Sequence, residues 1–195
     1  MQFATRFGRV LHFDAVVLAI LIGSLGMNVY LGVTRQPTTQ RVVPHLIAEG
    51  SMAPVLEGTS VSGVKVNLSY GKDPRSTLLY VFSPSCHWCE RNLANIRAIV
   101  ETRHDLRVIG INIGPRLDVK AARAQPFSEI VTPTSAVARA YGFGGTPSTV
   151  LVAPTGKVVK SWTGAYAGDV AREVSKALAV SLPGLSADSL AEKEN

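Results

Sequence analysis

The chain has 195 residues, 46% of them hydrophobic, a formal net charge of +6 and two cysteines. Its basic side chains, among them Arg91, Arg97, Arg103, Arg107, Arg116, Lys120 and Arg123, are scattered and lack interleaved aromatics or a nucleic-acid motif. They read as a solvated face, open to anionic lipid or an acidic partner, and speak against a nucleic-acid function.

At the N-terminus, residues 15–33 carry no charge over nineteen positions, are rich in Val, Leu and Ile, and follow a segment containing Arg6 and Arg9. That length and composition predict a single transmembrane span in contact with membrane lipid, with residues 1–14 as a cytoplasmic segment. Ser24-Leu25-Gly26 offers a signal-peptidase site, but the apolar run continues through Val33, which favours an uncleaved anchor. Residues 34–54, with Pro37 and Pro44 among polar neighbours, read as a linker. About 160 residues remain beyond the span, one domain's worth and enough to bury a core. No internal repeat is present. The domain is expected over residues 55–182, and residues 183–195, opening on Pro183-Gly184, read as a loose polar tail.

Within the domain, Val55 to Leu68 alternates Gly-Ser turns with Val-rich pieces and predicts a short hairpin. Leu78 to Phe82 is a continuous apolar run, expected as a central strand. A helix begins near Cys86, and Asp105 to Ile113 predicts a second buried strand, so strand, helix and strand imply a parallel crossover. Short helices are expected over Asp118–Ala124 and Ser135–Ala140. Ser148–Val152 and Val158–Trp162 flank Pro154-Thr155-Gly156 as a hairpin. The last helix, about Gly168 to Val180, carries Val170, Val174, Ala177 and Leu178 on one side.

The two cysteines stand as Cys86-His87-Trp88-Cys89, where the first strand gives way to the helix. A Cys-x-x-Cys in that position is the arrangement used by thiol-disulfide chemistry, because the two sulfurs can close a small ring with little backbone movement. Cys86, facing the free N–H groups and the positive end of the helix, is the expected nucleophile. Cys89, Leu93, Ile96 and Val100 share an apolar spacing, which turns Cys89 to the core as the resolving thiol while Glu90, Arg91 and Arg97 face water. His87 and Trp88 are read as tuning residues, His87 through its charge and Trp88 also as part of a docking surface. Haem attachment is set aside because Glu90, and not His, follows the second cysteine. Zinc would need further ligands at suitable spacing, which His12, His45, His87 and His104 do not supply, and a purely structural disulfide closing so short a loop would stabilise little.

The order βαβ then ββα, with Cys-x-x-Cys after the first strand and Tyr141-Gly142-Phe143-Gly144-Gly145-Thr146-Pro147-Ser148-Thr149 before the hairpin, resembles the thioredoxin superfamily. The apolar span, the Met52-Ala53-Pro54 approach, the Gly-Thr-Pro segment and the helical insertion before it are similar to membrane-anchored TlpA/ResA-like thiol-disulfide oxidoreductases. The resemblance covers roughly Val55 to Leu182. It implies an α/β thioredoxin-like fold, a central mixed sheet flanked by helices, behind an N-terminal transmembrane helix. It also implies a cis peptide before Pro147 and a substrate contact at Thr146 and Pro147. Further implications are a location at the bacterial inner membrane with the domain facing the periplasm or cell exterior, disulfide- or dithiol-containing protein substrates, and no cofactor or metal. A reductant in such a compartment implies a membrane electron-donor protein as a further partner.

The chain departs from that pattern at the carboxylates. The buried Asp of thioredoxin aligns with Tyr80, and the Glu that ResA-like proteins carry one turn after the second cysteine aligns with Asn92. Deprotonating Cys89 then needs another base, and Glu90, His87 and water are the candidates. Three alternatives stay open: a peroxiredoxin-like peroxidase, although Ser83 and His87 stand where that class has Thr and Pro; a metal-delivery module; and a scaffold that retains the fold for docking.

Overall fold

In the computed structural model the described residues are 16–30 and 45–186. The chain divides into two units, Met1–Val42 and Val43–Asn195. In the first, residues 16–30 form helix α1, whose large apolar side chains, including Leu18, Ile20, Ile22 and Leu25, are all exposed. Among the described residues no helix is long and apolar enough to cross a membrane. Of the expected span, residues 15 and 31–33 lie outside the described residues, as do 1–14, 34–44 and 187–195.

The second unit is organised by a seven-stranded sheet. Its strands are β1 (Leu56–Ser60), β2 (Lys65–Leu68), β3 (Ser76–Phe82), β4 (Leu106–Asn112), β5 (Glu129–Pro133), β6 (Ser148–Val152) and β7 (Val158–Thr163), in the spatial order β2-β1-β5-β4-β3-β6-β7. β3, β4 and β5 are parallel and the remaining pairs antiparallel, so the sheet is mixed. Side chains alternate across it. On one face Leu78, Tyr80 and Phe82 pack with Ile96 and Ile99 of α3 (Leu93–Thr102) and with Val174 and Leu178 of α6 (Gly168–Leu178). On the other face Leu79 and Val81 pack with Val137 and Tyr141 of α5 (Ser135–Tyr141) and with Phe143, and the short α4 (Val119–Arg123) lies between β4 and β5 in the chain. Each fully buried Leu or Ile contributes about 2 kcal/mol by leaving water.

Three features differ from expectation. β5 is an unpredicted strand: Ile130 and Val131 are its only buried apolar residues, they are adjacent, and Pro133 follows, so the segment lacks both an apolar run and a repeated alternation. It belongs to the sheet because Ile130 and Val131 enter the opposite cores and its backbone pairs with both β1 and β4. Residues 45–54, read as linker, are joined to the domain through Ile47 N–H to Tyr141 O (2.9 Å), Gly50 N–H to Val158 O (2.8 Å) and Ala53 N–H to Gly156 O (2.8 Å). The Tyr141 hydroxyl also donates to the Pro54 carbonyl. Gly142, in the left-handed region at φ 71°, lets this strap pass, since a Cβ there would overlap the His45 carbonyl. At the other end of the domain, Ala177 of α6 faces water, and Pro183–Ser186 dock back on the helix after the cysteines.

Candidate active site

β3 ends at Phe82, and Ser83-Pro84-Ser85 carries the chain to Cys86. The turn is held by Cys86 N–H donating to Ser83 O (3.0 Å) and by the Ser83–Ser85 hydroxyl pair (3.0 Å). Gly114, just beyond β4, backs the turn so closely that a Cβ would overlap the Ser83 side chain. Cys86 caps the five-residue helix α2 (His87–Arg91), and its sulfur accepts the Cys89 N–H at 3.1 Å. A Cys side chain thus occupies the place of the usual Ser or Asp cap. Cys86 and Cys89 form a disulfide with a Cα–Cα distance of 5.2 Å.

The two sulfurs lie in different surroundings. Cys86 is half-buried and flanked by exposed residues, whereas Cys89 is 4% exposed and belongs to the core of the α3/α6 face. On the rim Trp88 is 50% exposed, the His87 ring meets it edge-on with centroids 5.6 Å apart, and the Arg91 guanidinium lies 5.1 Å from its centroid. Arg91 Nε also donates to Ser186 O (2.9 Å), and Arg91 O accepts from Ser186 N–H, so the C-terminal strap holds the cation over the indole.

Beneath the cysteines the inward face differs from the predicted one. Cys89 and Ile96 face inward as expected, but Leu93 and Val100 are only partly buried, and Asn92, Asn95 and Ile99 take their place. The Asn92 N–H reaches both Trp88 O and Cys89 O where α2 gives way to α3, and Cys89, Asn92, Ile96 and Ile99 follow an i, i+3, i+7, i+10 spacing that puts them on one face. Asn92 Nδ2 donates to the Tyr80 hydroxyl (3.1 Å), and Asn92 Oδ1 accepts from Asn95 Nδ2 (2.9 Å) and Tyr166 N–H (3.0 Å). The Tyr166 hydroxyl pairs with Thr149 Oγ1 at 2.8 Å, and Asn95 Oδ1 accepts from Gly184 N–H at 2.9 Å. The two positions where related proteins carry carboxylates, Tyr80 and Asn92, are therefore joined by an uncharged hydrogen bond. Burial pushes the Tyr80 phenol up to about 12, only partly offset by that bond, and pushes Tyr166 higher still. Asn95, Tyr166 and Thr149 escape a reading based on apolar spacing. Asn at positions 92 and 95 of an otherwise apolar helix face is the one signal that points to the network.

The Thr146–Pro147 peptide is cis, and Pro147 is buried. Because Ser148 pairs with Val81 in the antiparallel β3–β6 ladder, this peptide lies at the carboxyl end of β3, the end from which Cys86 is reached. Pro147 O accepts from Gly164 N–H (2.9 Å). Cys86 and Cys89 open on a cleft of about 270 Å³ whose polar lining includes Tyr80, Ser83, Glu90 and Gln125. Among the described residues no group of three or more His, Cys, Asp or Glu side chains is placed to hold a metal ion.

No protein-family model matches the chain. It is 25% identical over 155 residues to the thiol-disulfide oxidoreductase ResA of Geobacillus thermodenitrificans (strain NG80-2), a match that covers 76% of this chain and 84% of that protein. Among solved structures it is similar to the thioredoxin domain of a thiol-disulfide oxidoreductase from Bacteroides vulgatus, with a TM-score of 0.54 at 22% identity over 68% of this chain and 99% of that one. A chain described as a thiol:disulfide interchange protein DsbE, from Chlorobium tepidum, gives 0.52 at 20% identity over 68% and 96%. The structural likenesses establish the thioredoxin fold. That fold here carries a bonded Cys-x-x-Cys, and the chain is similar to thiol-disulfide oxidoreductases of the ResA and DsbE type.

Proposed function

We propose that this protein is a membrane-anchored, extracytoplasmic reductant of protein disulfides. In the reduced protein the Cys86 thiolate attacks a disulfide of a partner, forming a mixed disulfide and releasing one partner thiolate. Cys89 then attacks Cys86 Sγ, releasing the second partner thiolate and leaving Cys86–Cys89 oxidised. The observation that carries this assignment is the contrast between the half-buried Cys86 at a helix cap and the core-facing Cys89. Supporting it at the substrate side is Thr146-Pro147, adjoining the same end of β3, where an extended partner segment would lie beside Cys86. His87 and Trp88 tune the pair and form its docking rim.

Residues 15–33 would hold the domain on the outer side of a bacterial inner membrane. The exposed apolar surface of α1 supports this, because such a surface needs lipid or another apolar partner to cover it. A reductant there would be returned to the dithiol form by a membrane protein that carries electrons outward. No cofactor is required for either half of the cycle.

The test is the reduction potential of the Cys86–Cys89 pair, measured on the detergent-solubilised full chain equilibrated against dithiothreitol or glutathione buffers. A value near about −270 mV supports the reductant, and one above about −180 mV makes the protein an oxidant or isomerase. A pair that never forms a reversible disulfide removes the redox function altogether.

A further inference from the structure

Resolution of the mixed disulfide requires that Cys89 lose its proton, and Cys89 is buried above a floor that offers no base. The side chains of Tyr80, Asn92, Asn95, Tyr166 and Thr149 are uncharged and hydrogen-bonded, to one another or to the Tyr166 and Gly184 backbone. An amide is not a proton acceptor near neutral pH, and a phenol with its pKa pushed up to about 12 is not ionised there. The proton must therefore leave through the cleft that both sulfurs line.

One carboxylate lines that cleft: Glu90. It follows Cys89 directly and stands four residues after Cys86, so on a helix it rises on the same side as the cap sulfur. His87, the other candidate base of the motif, is exposed with its ring against Trp88 and is not part of the cleft lining. Among the described residues, the ionisable groups facing Glu90 include Cys86, Cys89, His87 and Arg91 of its own turn, and Tyr80 of β3 on the cleft wall.

From this geometry we infer that Glu90 is the proton acceptor for Cys89, taking over from the outer side the role for which the floor has no carboxylate. The assignment rests on the thiol-disulfide exchange proposed above. In the step, the Cys89 S–H bond breaks and its proton passes to the Glu90 carboxylate, directly or through one cleft water. The Cys89 sulfur then attacks Cys86 Sγ, and the Cys86–partner S–S bond breaks. The partner sulfur leaves with the electron pair and collects a proton, returning Glu90 to its ionised form. Two electrons move from the dithiol to the partner and no other reactant is consumed. The same carboxylate, negative beside Cys86, opposes accumulation of the Cys86 thiolate, so its removal should change the two steps in opposite directions.

The experiment is single-turnover exchange between the reduced full chain in detergent and an excess of a disulfide-bonded peptide, acid-quenched and followed by mass spectrometry from pH 5 to 9. Attack by Cys86 is read as formation of the mixed disulfide, and resolution as its decay. For Glu90→Gln the expected result is attack as fast as in the wild type or faster. Resolution should be slowed about tenfold to a hundredfold near pH 6.5, with a rate that climbs steeply with pH where the wild-type rate is nearly flat. Glu90→Asp should restore most of the resolving rate. If Glu90→Gln resolves at the wild-type rate with an unchanged pH profile, or if attack and resolution slow together, the assignment is overturned while thiol-disulfide exchange stands. A wild-type chain that forms no mixed disulfide overturns both.

Discussion

The rim and the floor of this site are built from opposite materials. Above, Cys86, His87, Trp88, Glu90 and Arg91 meet water and include ionisable side chains; below, Cys89 rests on tyrosines and asparagines that are 0–1% exposed and uncharged. The difference teaches that the two cysteines, three residues apart, answer to different constraints. The rim can change with less effect on folding, because its side chains stay largely in reach of water in the folded chain. The floor cannot, because each of its polar groups has exchanged water for one specific partner.

The largest test of this contrast is on the sulfurs. Cys86→Ser should lower dithiol-dependent disulfide reduction by about a thousandfold or more, whereas Cys89→Ser should keep the first attack and accumulate a covalent mixed disulfide, seen on non-reducing gels. Trapping through Cys89 in a Cys86→Ser chain would reverse the assignment of rim and floor.

Next in size is the floor itself. Asn92→Leu strands the Tyr80 hydroxyl and the Tyr166 N–H, and should cost about 3 kcal/mol in urea unfolding of the domain. A cost below about 1 kcal/mol would mean that the network is not what orders the helix junction.

A smaller effect is expected from alkaline pH. Burial raises the phenols of Tyr70 and Tyr80 to about 12, above the ordinary value of 10. The unfolded chain therefore releases these protons first, and their contribution is complete below pH 10 and lost as pH rises towards 12. The loss should be on the order of 2 kcal/mol for each tyrosine. Denaturant midpoints that stay constant from pH 10 to 12 would contradict the dry environment assigned to the tyrosines.

Smallest in stability is the rim. Trp88→Ala should leave the unfolding midpoint within about 0.5 kcal/mol of wild type yet slow exchange with a protein disulfide roughly tenfold. Equal slowing with a small disulfide such as oxidised glutathione would show that Trp88 acts on Cys86 and not on docking.

Much of this arrangement is legible in the sequence, and the reasons are local. The strand Leu78–Phe82 is an unbroken apolar run, the parallel partner Leu106–Asn112 carries Leu106, Val108, Ile109 and Ile111, and a cysteine pair spaced by two residues has few chemical uses. The strand Glu129–Pro133 is not legible, because its burial comes from two neighbours rather than from its own pattern. The strap 45–54 is likewise read as linker from its prolines and polar residues, yet it holds the domain through backbone hydrogen bonds that residue type does not reveal.

By itself, then, the sequence determined the order of the main strands and helices and the cysteine pair, since apolar periodicity and motif spacing act over a few residues; that carboxylates are missing at Tyr80 and Asn92 is legible only through the resemblance to thioredoxin and ResA-like proteins. Tertiary structure alone decided that Tyr80 and Asn92 bond to each other, that Asn95 is buried against Tyr166 and Gly184, and that Glu90 shares a cleft with both sulfurs. The hydrogen bonds from the floor to its surroundings join residues from 12 positions apart, Tyr80 and Asn92, to 89 apart, Asn95 and Gly184. Their partners are chosen by the packing of two helices and a sheet, where burial makes any unmatched polar group costly.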